Sequence, residues 1–167
     1  MATTMTSASA RISLKWLYEN VLDVGNSKDQ QTLTKSFSIT DGEGANQFEG
    51  IFRDDRSVAT STEDALDFYG TALQDAFGNN ISAKAVKWIY IENTGTVRIT
   101  WGGNAAEIPY FAAVNDKLGI EAGGCNLWVA PTAAGIAVTA TTGDILSVTN
   151  TSGATVATYR IVVGYTK

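Results

Sequence analysis

Val156-Ala-Thr-Tyr-Arg-Ile-Val-Val-Gly-Tyr165 decides the fold. Tyr159, Ile161, Val163 and Tyr165 fall on one side of an extended chain, Thr158 and Arg160 on the other. That is the period-two signature of a strand with one face in a core. Working back, Ala85-Val-Lys-Trp-Ile-Tyr-Ile-Glu-Asn93 is denser still in β-branched and aromatic residues and reads as a second strong strand. A hairpin-like turn, Asn93-Thr94-Gly95-Thr96, leads to a strand from Val97 to Trp101 that Gly102-Gly103-Asn104 closes. Leu127 to Val129, Ile136 to Ala140 and Ile145 to Thr149 are further strands, with turns at Thr142-Gly143-Asp144 and Asn150 to Gly153.

The first half is less regular. Ile12, Leu14 and Trp16 alternate with polar neighbours, a polar interruption covers Gly25 to Gln31, and Leu33 to Thr40 alternates again. Asp41-Gly42-Glu43-Gly44 is a turn by composition. Short strands are expected at Gln47 to Phe52, Ser57 to Thr60 and Ala65 to Tyr69, and Thr71 to Phe77 with Gly78 after it reads as a single helical turn. Eight or more short strands with little helix indicate one all-β domain, an antiparallel β-sandwich. A jelly roll is the preferred topology, because links such as Asn104 to Leu118 are long enough to cross between sheets. An immunoglobulin-like sandwich is the alternative, without a cysteine pair to support it. The division expected is an N-terminal arm over residues 1–10 and the sandwich over 11–167.

Composition narrows the chemistry. The 167 residues contain no histidine and one cysteine, Cys125. A Ser-His-Asp or Cys-His arrangement, an imidazole proton shuttle and a His-based zinc site are therefore excluded. Cys125 begins an apolar run and reads as a small buried residue. A net charge of −5 with scattered Lys and Arg argues against nucleic acid and against an anionic membrane. Met1 to Ala10 is all Met, Ala, Thr and Ser, without the apolar centre of a secretory signal, and no stretch reaches the ~20 apolar residues of a membrane helix. Synthesis in the cytoplasm, with no signal peptide, is the expectation.

Acidic residues gather at Asp41, Glu43, Asp54, Asp55, Glu63, Asp64 and Asp67. Paired carboxylates suit glycoside hydrolysis and clustered loop oxygens suit calcium, for which Asp41, Glu43, Asp54 and Asp55 are the candidates. Arg53 and Arg56 flank Asp54-Asp55, which favours ion pairs on a surface turn, and the alternating calcium spacing is absent. The expectation is no catalytic residue, no metal and no cofactor. The four tryptophans, Trp16, Trp88, Trp101 and Trp128, each lie in an alternating strand and read as core residues, with Trp101 the expected exception, left uncovered by the glycines beside it. With Asn104 it is the candidate for ligand contact, while Thr3, Thr4, Thr6 and Ser7 are candidates for an arm ordered across a neighbouring subunit.

Two stretches carry a resemblance. Asp41-Gly-Glu-Gly-Ala-Asn-Gln47, continued by Ile51-Phe-Arg-Asp54, Thr62-Glu-Asp64 and Asp75-Ala-Phe-Gly78, resembles a family of small proteins encoded among the virion genes of tailed bacteriophages. Ile136 to Leu146 with Val148-Thr-Asn150 is similar to the C-terminal half of that family. The resemblance spans roughly Leu33 to the C-terminus. It implies a non-enzymatic virion component, a capsid decoration (cement) protein or a related head or tail part, binding virion proteins such as the major capsid protein and itself as a homotrimer. The rival expectation is a carbohydrate- or receptor-binding module of a tail or fibre.

Overall fold

The computed structural model describes residues 6–22, 24–70, 72–113 and 115–167. Strands dominate: β1 (Ala8–Leu22), β2 (Gly25–Ile39), β3 (Gly50–Val58), β4 (Glu63–Asp67), β5 (Ala85–Asn93), β6 (Ile99–Trp101), β7 (Leu118–Ile120), β8 (Cys125–Val129), β9 (Ile136–Ala137), β10 (Ile145–Asn150) and β11 (Ala157–Thr166). Among the described residues there is no helix, and those of the helical turn expected at Thr71 to Phe77 form bends and turns. Thr71 itself lies outside the described residues.

Two sheets make the body. One runs β3-β11-β5-β8 with β9 beside β5, the other β4-β10-β6-β7, and all their ladders are antiparallel. Apart from the small β9, the chain passes between the sheets in the order of a jelly roll, so the two-sheet expectation holds. The strands that alternated most clearly in sequence sit centrally. β11 lies between β3 and β5, and its Tyr159, Ile161, Val163 and Tyr165 are all buried. Facing them from the second sheet are Leu66, Ile99, Trp101, Leu146 and Val148, in one continuous core. Closing these side chains off from water is the main stabilising term of the fold.

Buried asparagines terminate two turns. Asn93 Nδ2 donates to the carbonyls of Val97 (2.8 Å) and Ile120 (3.0 Å), and its Oδ1 accepts from the Gly95 amide. Asn150 Nδ2 reaches three carbonyls, those of Val58, Ala59 and Thr155. A short amide side chain satisfies backbone groups that a turn under a sheet would leave without water.

The N-terminal part departs most from expectation. Gly25 to Gln31 is not an interruption but the first half of β2, which pairs with β1 along its whole length, from Ala8↔Ile39 to Leu22↔Gly25. Gly25, at φ 135°, follows the two-residue link and permits the sharp reversal. The arm expected over residues 1–10 therefore joins a strand from Ala8 onward. Among the described residues this ribbon pairs with no other strand, and almost every one along it is exposed.

Candidate functional site

Asp54 and Asp55 lie in the middle of β3, not on a turn. Four charges in a row read as a turn, but antiparallel pairing with β11 sets Asp55 opposite Arg160 and Arg53 opposite Val162. Arg160 in turn faces Glu92 of β5. The result is a cross-strand ladder on the outer face: Arg160 Nε lies 2.8 Å from Asp55 Oδ1, and its Nη1 3.7 Å from Glu92 Oε2. Such exposed pairs add little stability but fix register. Beside them, Arg53, Asp54, Asp55, Ala76 and Arg160 border a shallow, open cleft of about 500 Å³.

Arg56 turns inward at the edge of the sandwich. Its Nε and Nη2 lie 2.6 and 2.9 Å from the two carboxylate oxygens of Asp64 on β4, and Nη1 lies 2.9 Å from Asp54. Tyr159 Oη donates to the same Asp64 at 2.7 Å. This bidentate fork straps one sheet to the other. Asp64 holds the guanidinium above its usual pKa, and burial, then the Asp64 charge, push the Tyr159 phenol upward.

The remaining acids of the sequence cluster are dispersed in local roles. Glu43 pairs with Lys84 at 2.8 Å, which holds its carboxyl below the usual range. Asp67 Oδ1 accepts from the amides of Tyr69 and Gly70. Glu63 accepts from Asn104 Nδ2 at 2.5 Å. Among the described residues no three acidic or cysteine side chains gather closely enough to hold a metal, so Asp41, Glu43, Asp54 and Asp55 are not brought to one point.

Two expectations are corrected. Trp101 is buried, not uncovered. The chain after Gly102 and Gly103 folds back, so that the Tyr110 ring stacks on the indole at 4.7 Å and Phe111 meets it edge-on at 5.5 Å. It has no face left for a sugar. Cys125 is exposed, not buried, because β8 is an edge strand and the register with Glu92 places the cysteine on the outer face. Asn104 is half-buried, and its Oδ1 accepts from the Ala106 amide while its side-chain nitrogen reaches Glu63, so it shapes its own loop. Thr6 and Ser7 are exposed ahead of β1; Thr3 and Thr4 lie outside the described residues.

Sequence reasoning missed the buried carboxylate of Glu107. It accepts from the Ser147 amide at 2.9 Å, the Ser147 hydroxyl at 2.5 Å, the Asn104 amide at 3.1 Å and Tyr110 Oη. All four donors are neutral and belong to loop and strand, which makes this a structural pin for the crossing that covers Trp101.

The surface that stands out is the ribbon. Register places Ile12, Leu14, Trp16 and Tyr18 on the same face as Leu33 and Phe37, a stripe that begins at the buried Ile39 and runs outward. Trp16 Nε1 donates to Asp29 Oδ2 at 3.1 Å, holding the ring along that stripe. The signal was in the sequence, in two matching alternations, but their link is only Asp23-Val24. Jelly roll and ribbon together define a class: a compact β-sandwich that carries a long amphipathic hairpin outside its own core. No known protein family, curated protein or solved structure matches the chain.

Proposed function

We propose that the chain is a non-enzymatic structural protein of a tailed-phage virion, a capsid decoration protein that binds major capsid subunits and copies of itself. The ribbon carries this reading. Two strands of 15 residues stand outside the core, although an isolated two-stranded hairpin is marginal in water. Holding so much chain in order with an apolar face open is costly unless a neighbouring subunit covers it. The body adds a durable platform, with its acids engaged by arginine, lysine, amides and hydroxyls rather than poised for proton transfer.

The test is binding to purified heads of the phage that encodes the chain, stripped of accessory proteins. Saturable attachment and a higher temperature of head rupture are the expected results. Equal recovery with and without heads, or hydrolysis of a polysaccharide abolished by Asp55→Asn, overturns the proposal.

A further inference from the structure

The apolar stripe has a symmetry of its own. β1 and β2 are equally long and pair end to end, so the ribbon's midpoint is the pair Lys15↔Thr32. Counting outward from it, Leu14 mirrors Trp16, Ile12 mirrors Tyr18, and Leu33 mirrors Gln31. The two charges on that face, Lys35 and Asp29, lie equally far from the midpoint and on opposite sides of it. A second ribbon laid face to face and antiparallel, on a two-fold axis through the midpoint, would set each Lys35 against the partner's Asp29, Leu14 against Trp16 and Ile12 against Tyr18, while Leu33 meets Gln31 and Phe37 meets Ser27.

We propose that the occupant of the ribbon's apolar face is the ribbon of a second copy of this chain, packed antiparallel on a two-fold axis. Area supports it. Ile12 (40%), Leu14 (56%), Trp16 (43%), Tyr18 (73%) and Leu33 (62%) keep large parts of their surface open, together on the order of 500 Å², at the upper end of what monomers expose. The polar flanks of a ribbon roughly 50 Å long extend that toward the ~800 Å² per partner of a standard interface. Such a contact is isologous: one self-complementary surface serves both copies.

Charge selects the arrangement. Three ribbons packed in parallel about a three-fold axis would bring Lys35 beside Lys35 and Asp29 beside Asp29, which is unfavourable. The antiparallel pair joins unlike charges. Both groups are placed for it: Asp29 uses Oδ2 for the Trp16 indole, and the Lys35 ammonium lies 5.4 Å from the Phe37 ring centre, along the stripe. Arg11, Lys15, Lys28 and Lys35 against Glu19, Asp23 and Asp29 also leave residues 8–39 slightly positive in a chain of net −5. Two copies therefore repel least where the ribbons meet. The pairing stands on the ribbon and does not depend on the virion reading.

Charge reversal in the full chain tests it, read by sedimentation equilibrium at tens of micromolar. The intact chain should give a two-copy mass. Lys35→Asp and Asp29→Lys, each alone, set like charges against each other at both ends of the interface and should weaken association at least about tenfold. Mixing the two variants makes both contacts unlike again and should restore a mixed dimer of near-native affinity. That rescue also controls for the Trp16 hydrogen bond lost in Asp29→Lys, and unchanged near-ultraviolet circular dichroism checks that each variant is folded. A monomeric or three-copy intact chain, single variants that associate as tightly as the intact chain, or a mixture that stays monomeric overturns the proposal, whatever the binding to heads turns out to be.

Discussion

Asp64 shows how much rests on one carboxylate at the seam of the sandwich. It accepts from Arg56 through both oxygens and from Tyr159 through one. Asp64→Ala leaves the buried Tyr159 phenol without its acceptor and the half-buried Arg56 guanidinium with only Asp54, and should cost about 2 kcal/mol in urea unfolding. Asp55→Ala, in the exposed ladder with Arg160, should cost less than about 1 kcal/mol. In the sequence Asp55 stands beside Arg56, whereas Asp64 has no arginine neighbour, so the strap across the sheets was not legible there, because it depends on register. Tyrosines give a pH test. Burial pushes Tyr165 up to about 12, burial and then Glu92 push Tyr90 up to about 12, and Tyr110 and Tyr159 are raised further. A raised folded pKa favours the neutral phenol, so this stability is fully present below the unfolded value of about 10 and is lost as pH rises through 12. The native protein at pH 11 should show markedly less phenolate absorbance than the same chain in guanidinium, and its stability should already be falling.

Elements were legible in proportion to how buried they are. β5 and β11 lie in the middle of their sheet, so their pattern came from the core and could be read directly. β7, three residues at a sheet edge, left no periodic trace, and β2 was half hidden because a strand exposed on both faces has no reason to alternate. Gly164 illustrates what pattern alone omits. It sits where the register of β11 against β5 shifts, and a Cβ there would lie 2.6 Å from the Phe48 ring. Phe48 is itself fully buried and meets the Trp88 ring at 5.7 Å. Gly164→Val should displace that ring and destabilise the domain by about 1–3 kcal/mol, measured as a lower midpoint in thermal unfolding.

At the scale of the whole molecule, folding and association are carried by different parts of the chain. Ile39 is the first buried hydrophobic residue from the N-terminus among those described, and everything the core uses lies from there onward. The described residues before it include the most continuous apolar surface left open, yet contribute almost nothing to the core. A chain starting at Ser38 should therefore keep its near-ultraviolet circular dichroism and unfold within a few degrees of the intact domain at concentrations where both are monomeric. The intact chain should differ in one respect. If self-association is linked to the ribbon, its midpoint rises with protein concentration, because the associated state binds only folded copies, whereas the truncated chain's midpoint stays flat. Calorimetry over a hundredfold range of concentration separates the two. A truncated chain that still gains stability with concentration would move the association surface onto the sandwich, and the outer face around Arg160 and Glu92 would be the next place to mutate.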